Sequence, residues 1–211
     1  MGQKSGKLTK QQTQSLQRLV SFSEDEIQDW WQEFIRSAKV SSGSKPFLTQ
    51  KEFIEVYNTV YPGNGEEYAK HIFRTFDQNG DGRVDFREFL LGLSITSSEK
   101  EEKKLRWAFQ LYDINQSGFI TKNEIIEILQ AIFKMNGLNQ SSTKSAGLGT
   151  PEELASSLFE VMETDGDNSI SWSEFRSAAT RCSLIVDLLQ CSPGPEFEAV
   201  LKQHSNNEVF E

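Results

Sequence analysis

Long apolar runs are missing from this chain, and so are most of the residues that carry chemistry. No stretch of about 18 apolar residues occurs, the length a helix needs to cross a bilayer. The first residues also lack the apolar block of a secretory signal, so a cytoplasmic location is expected. Histidine occurs only as His71 and His204, with no paired nucleophile pattern and no glycine-rich phosphate loop, so catalysis is not expected. Cysteine occurs only as Cys182 and Cys191, too few for a disulfide framework or a zinc cluster; the pair reads as ordinary side chains of a C-terminal helix. Basic charge is short as well. Lys and Arg total 22 against 31 Asp and Glu, a net charge of -9, which argues against nucleic acid as a partner. Methionine is scarce at three residues, whereas phenylalanine occurs 15 times and tryptophan four times, so any binding groove is expected to be aromatic.

What remains is a helical pattern. Apolar residues recur at helical spacing between short polar loops rich in Gly, Asn, Asp and Ser. Ser23-Glu24-Asp25-Glu26 has the form of a capping box, with Phe22 and Ile27 placed as a hydrophobic staple, and opens a helix bearing Trp30, Trp31 and Phe34. The stretch from Thr49 to Glu52 opens a second in the same way, and Thr150-Pro151-Glu152-Glu153 a later one. Breaks are expected over 97–104, short and charged, and over 136–149, rich in Gly, Ser and Asn.

Four segments, 41–52, 77–88, 113–124 and 163–174, align on a final Glu. The first three begin 36 residues apart and the last begins 50 after the third, the 136–149 insertion falling in that longer step. In the last three an aromatic stands four residues ahead (Phe73, Phe109, Phe159) and an aliphatic at the eighth position (Val84, Ile120, Ile170). Calcium takes about six to eight oxygens, and a loop of about twelve residues wraps it from positions 1, 3, 5, 7, 9 and 12 when position 6 allows a sharp turn. In 77–88 those positions hold Asp77, Asn79, Asp81, the Arg83 carbonyl, Asp85 and Glu88, with Gly82 at the turn. Helix capping alone would explain Asp85 and Glu88, but not Asp77, Asn79 and Asp81 at alternate positions.

The third segment offers Asp113, Asn115, Ser117, the Phe119 carbonyl and Glu124 around Gly118; with fewer carboxylates, weaker binding is expected. The fourth holds Glu163, Asp165, Asp167, Ser169 and Glu174, with Asn168 at the turn. Asn tolerates the turn while the longer Glu163 crowds the ion, so filling of this loop stays open. The first segment has Lys45 at position 5, Pro46 at the turn and no Asp, and reads as a structural relic. Two Ca2+ sites are therefore expected, with a third open. Such loops belong to EF-hand helix-loop-helix units. The expected fold is all-α, four EF-hands in two pairs with short two-stranded loop pairing: an arm over 1–22, pairs over 23–96 and 97–190, and a tail over 191–211.

Three stretches carry a likeness to one family: Phe73-Arg74-Thr75-Phe76-Asp77 through Phe89, Lys104-Leu105-Arg106-Trp107-Ala108-Phe109-Gln110-Leu111-Tyr112-Asp113, and the start Met1-Gly2-Gln3-Lys4-Ser5-Gly6-Lys7-Leu8. They resemble the neuronal calcium sensors, over most of the chain from Met1 to about Leu189. The resemblance implies a non-binding first hand, an N-myristoyl group on Gly2, and a hydrophobic groove that receives an amphipathic helix of a target protein. The chain departs from the family in the first loop, where a Ser/Gly/Lys stretch replaces a Cys-Pro pair, and in the tail with Pro193 and Pro195.

Gly2 follows Met1 as acylation requires, although the position preferring Ser or Thr holds Gly6 and Ser5 stands one place early. One myristoyl chain binds membranes only marginally, so Lys4, Lys7 and Lys10 would supply a second, electrostatic signal for membrane association. Trp30, Trp31, Phe34, Phe53, Tyr57, Phe73, Phe86, Phe89 and Trp107 are the groove candidates. Three functions fit these features: a calcium-switched sensor that regulates a target protein, a calcium buffer, or a constitutive regulatory subunit of an enzyme or channel.

Overall fold

The structure is a computed structural model that describes residues 6–38, 45–58, 64–96, 100–137 and 150–181. Gly2, Lys4, residues 41–44 of the first loop, most of the 136–149 insertion, both cysteines and the tail lie outside them, as does the Tyr57 side chain. Among the described residues the helices are α1 (Lys10–Gln17), α2 (Glu24–Ser37), α3 (Gln50–Asn58), α4 (Glu66–Phe76), α5 (Phe86–Thr96), α6 (Glu101–Tyr112), α7 (Lys122–Met135), α8 (Pro151–Met162) and α9 (Trp172–Ala179). Four short strands lie between them: β1 (Phe47–Thr49), β2 (Arg83–Asp85), β3 (Phe119–Ile120) and β4 (Ile170–Ser171). None of the described helices is long and apolar enough to cross a membrane.

Local chemistry explains where these helices start. Ser23, Thr121, Thr150 and Ser171 each accept the backbone N–H of the glutamate three residues on, and that glutamate reaches back to the cap residue's own N–H. Thr9 and Gln12 do the same for α1. The expected 97–104 break is shorter than its charge suggests, because α6 already begins at Glu101. Glu101 and Glu102 occupy its first turn, where the positive end of the helix dipole favours carboxylates.

The loops pair as expected. β1 runs antiparallel to β2 with Leu48 opposite Val84, and β3 antiparallel to β4 with Ile120 opposite Ile170. All four of these apolar residues are buried, so each pair of loops is pinned through its eighth-position aliphatic. Below β1 and β2 the core is aromatic: Trp30, Trp31 and Phe34 of α2, Phe53 of α3, Phe73 and Phe76 of α4, Phe86 and Phe89 of α5. Below β3 and β4 it is largely aliphatic, from Ile125, Ile128, Leu129 and Ile132 of α7 and Leu154 and Leu158 of α8, closed by Phe109 and Phe175. α4 joins the halves by packing on both α6 and α7. Gly92 allows α5 to lie close on α4, since a Cβ there would stand 2.4 Å from the Phe76 ring.

Candidate metal centres

Each of the last three loops begins as the cap of one helix and ends inside the first turn of the next. Asp77, Asp113 and Glu163 close α4, α6 and α8, their N–H groups donating to the aromatics four residues earlier, Phe73, Phe109 and Phe159, each at 2.8 Å. The aromatic repeated ahead of the loops therefore marks the last helical hydrogen bond. At the other end Glu88, Glu124 and Glu174 are third residues of α5, α7 and α9. Capping and cation binding are thus two uses of one carboxylate.

The second loop is curled around its own oxygens. Asp77 accepts the N–H of Asp81 at 3.1 Å and of Gly82 at 2.9 Å, and Asn79 Oδ1 accepts Asp81 N–H at 2.8 Å. Glu88 closes the ring, Oε1 accepting Asn79 N–H at 3.3 Å and Oε2 Asp85 N–H at 3.0 Å. Gly82 has φ +77°, the turn inferred from the sequence. Glu88 is only 5% exposed. Burial pushes its carboxyl above the usual range, and the charges of Asp85 and Asp77 add to this, against the N–H donors of Asp85 and Asn79. A divalent cation among these oxygens would reverse that repulsion.

The third loop repeats the geometry. Asp113 accepts from Ser117 and Gly118 N–H, both at 2.9 Å, and Glu124 accepts from Asn115 at 3.2 Å and Thr121 at 2.8 Å. Ser117 Oγ donates to the Phe119 carbonyl at 3.0 Å, bringing positions 5 and 7 together. Both oxygen sets suit calcium, a hard ion that accepts mixed carboxylate, amide, hydroxyl and carbonyl ligands.

The fourth loop has a shifted pattern. Glu163 accepts the N–H of Gly166, the fourth position, where Asp77 and Asp113 reach the fifth and sixth. Glu174 Oε1 accepts Thr164 N–H at 2.9 Å, one residue earlier than in the other loops. The extra methylene of Glu163 is the physical reason. Even so, carboxylate oxygens of Glu163, Asp165 and Glu174 lie within 4.8 Å of one another, and Asn168 holds φ +63° at the turn. Burial would raise the Glu174 carboxyl, but N–H and hydroxyl donors of Ser171 and Thr164 outweigh it and hold it at about 2. In the first loop the described part serves pairing and capping instead. Arg83 lies over the Phe47 ring at 4.4 Å, and Glu52 accepts Thr49 N–H at 3.0 Å.

The chain matches an EF-hand domain pair over 102–180 and an EF-hand domain over 68–95. It is 35% identical to recoverin from Homo sapiens over 191 residues, 90% of this chain and 93% of the relative. It is 33% identical to neuronal calcium sensor 1 from Lymnaea stagnalis over 196 residues, 92% and 99% of the two chains. The chain belongs to the neuronal calcium sensor family. It is therefore an all-α EF-hand protein that binds Ca2+, and a calcium sensor rather than an enzyme at the level of its family. A further relative, guanylyl cyclase-activating protein 2 from Gallus gallus, is 32% identical over 171 residues, 81% of this chain and 84% of its own.

The groove candidates whose side chains are described are interior. Trp30, Trp31, Phe34, Phe53, Phe73, Phe86, Phe89 and Trp107 are all 9% exposed or less, so here they form core rather than an open groove. Phe86 and Phe89 of α5 pack on α2, with ring centroids 5.0 Å from Trp31 to Phe86 and 5.2 Å from Phe34 to Phe89. Phe53 instead meets Phe73 and Phe76 at 5.6 and 5.5 Å. Trp107 stands at the seam between the halves, its indole N–H donating to Thr75 Oγ1 at 3.0 Å.

Two sets of contacts have no signal in the sequence. The arm is tied to α2: Trp31 Nε1–H donates to the Gly6 carbonyl at 2.8 Å, and the Gln28 amide both accepts from Leu8 N–H at 3.1 Å and donates to its carbonyl at 3.0 Å. Arg74 crosses from α4 to the end of α6. In both, one partner is main chain distant in sequence, which no residue pattern encodes.

Proposed function

We propose that this protein is a calcium switch in which Asp77, Asn79, Asp81, Arg83, Asp85 and Glu88, and likewise Asp113, Asn115, Ser117, Phe119 and Glu124, hold calcium and thereby open an aromatic groove for a target helix. The observation that carries the reading is the position of Glu88. It sits on α5 between Phe86 and Phe89, both packed against α2. A carboxylate that leaves the N–H groups of Asn79 and Asp85 to chelate an ion turns α5, and the two rings move with it away from Trp31 and Phe34. An amphipathic helix of a target protein would then replace the lost contacts. The arm hydrogen-bonded to Gln28 and Trp31 would be displaced at the same time, freeing a Gly2-linked acyl chain to assist membrane association. The name of the cyclase-activating relative makes a guanylyl cyclase the first target class to try.

Calcium titration of the N-myristoylated chain by calorimetry, with tryptophan emission and liposome co-sedimentation followed in parallel, tests this. Glu88→Gln is expected to weaken the second site about a hundredfold, because it removes a charged ligand of the ion, and to abolish the tryptophan change. An unchanged calcium affinity at the second site in Glu88→Gln would overturn the site. Binding without a change in emission or sedimentation would point to a buffer or a constitutive subunit.

A further inference from the structure

Arg74 stands on the last turn of α4, three residues before Asp77, yet its guanidinium serves a different hand. Nη1 donates to the carbonyls of Gln110 at 3.1 Å and Asp113 at 3.0 Å, and Nη2 to that of Leu111 at 2.8 Å. These carbonyls lie at the C-terminal end of α6, where helical partners run out and the helix dipole is negative. Asp113 is also the first residue of the third loop. One cation on the helix entering the second loop thus grips the backbone at the mouth of the third.

The grip is built at a cost. Arg74 Nε is buried and has no hydrogen-bond partner, an arrangement that loses solvation without full replacement. Three carbonyls on a planar fork and the facing charges of Asp113, Glu124 and Glu127 offset part of it. The adjacent residue adds a second tie: Thr75 Oγ1 accepts the Trp107 indole N–H at 3.0 Å while donating to the Ile72 carbonyl at 2.7 Å. Between them, Arg74 and Thr75 bind the last turn of α4 to the last turns of α6.

We propose that Arg74 is a positioning residue that couples calcium occupancy of the second loop to that of the third. The proposal rests on the reading that both loops bind calcium. When Asp77 and Glu88 close on an ion, the last turn of α4 is held in one orientation, and the fork passes that order to the Asp113 backbone. The third loop then binds with less ordering left to do, and by linkage the third loop favours the second equally. A lysine would keep the charge but could not span three carbonyls.

Calcium titrations of the full chain, followed through the backbone amide resonances of Gly82 and Gly118, separate the two sites, because those N–H groups donate to Asp77 and Asp113 at 2.9 Å each. In the parent chain Glu88→Gln is expected to lower the calcium affinity reported by Gly118 about tenfold, within the usual span of such coupling. In Arg74→Met and Arg74→Lys chains the same Glu88→Gln change is expected to alter it less than about twofold. A merely structural Arg74 would weaken the third loop equally with and without Glu88, leave the tenfold ratio intact, and overturn the proposal. A ratio near one in the parent chain overturns it too. A Gly118 resonance indifferent to calcium in the parent would instead remove the calcium reading of the third loop. If Arg74→Met lacks a cooperative melt, Arg74→Lys decides.

Discussion

The two EF-hand pairs use the same loop pairing to hold different contents. In the first pair the 45–52 segment keeps β1, Leu48 and the Glu52 cap although it carries Lys45 where a ligand would stand and Pro46 at the turn. In the second pair both loops retain oxygens, and the fourth gathers three carboxylates despite its shifted hydrogen bonds. The register at the eighth positions is nevertheless equivalent, Leu48 with Val84 and Ile120 with Ile170. Pairing is therefore carried by buried aliphatics and main-chain hydrogen bonds, which need no ion, and a degenerate loop survives as the strand partner of one lined with oxygens. The cores diverge as well. Aromatics packed mostly edge-on or tilted below the first pair put large rigid rings beside Glu88, whereas branched aliphatics fill much of the second.

The largest way to sharpen this contrast is Phe34→Ala, which deletes a ring that touches both Phe86 and Phe89. It should lower unfolding free energy by about 3–5 kcal/mol in urea denaturation; a much smaller loss would mean the first core is already loosely packed. Next, Leu48→Ala and Ile170→Ala should cost similar amounts, about 2–5 kcal/mol each, measured without calcium. A near-neutral Leu48→Ala would break the claim that the degenerate loop still holds its pair together.

At the seam, His71 is held at about 4 by burial foremost and by the neighbouring Arg74 and Lys70 charges, against Glu67. Its ring on α4 also faces Glu127 of α7, with Nε2 3.5 Å from that carboxylate. Because its folded value lies below the unfolded 6.5, this contribution is complete above that pH and is lost as pH falls toward about 4. The loss should reach at most about 3 kcal/mol, and thermal melts of His71→Leu across that window should show a flatter slope than the parent. The smallest effect concerns the fourth loop. Glu163→Asp removes the methylene that diverts the first ligand to Gly166, and calorimetry should show about a tenfold gain in its calcium affinity, near 1.4 kcal/mol. No gain would place the weakness elsewhere in that loop.

Much of this was legible in residue order. The capping boxes at Ser23, Thr121, Thr150 and Ser171 involve residues three apart, so their chemistry is local and readable. The loop oxygens obey the same logic, since a twelve-residue ring is closed within itself, and the positive φ at Gly82, Gly118 and Asn168 follows from the turn it demands. The groove candidates were less legible. An aromatic at helical spacing marks a buried face, but whether that face meets a partner or its own core depends on which helix returns to cover it.

By itself the sequence determined the repeat, the helix starts, the loop turns and the oxygen sets, because each depends on neighbours within one loop or one helical turn. Only the tertiary structure decided that α5 lays Phe86 and Phe89 on α2, that the arm is tied to Gln28 and Trp31, and that Arg74 of one hand grips the carbonyls of another. Those contacts join elements far apart in the chain, several through main-chain atoms that every residue shares, and three-dimensional packing alone selects among them.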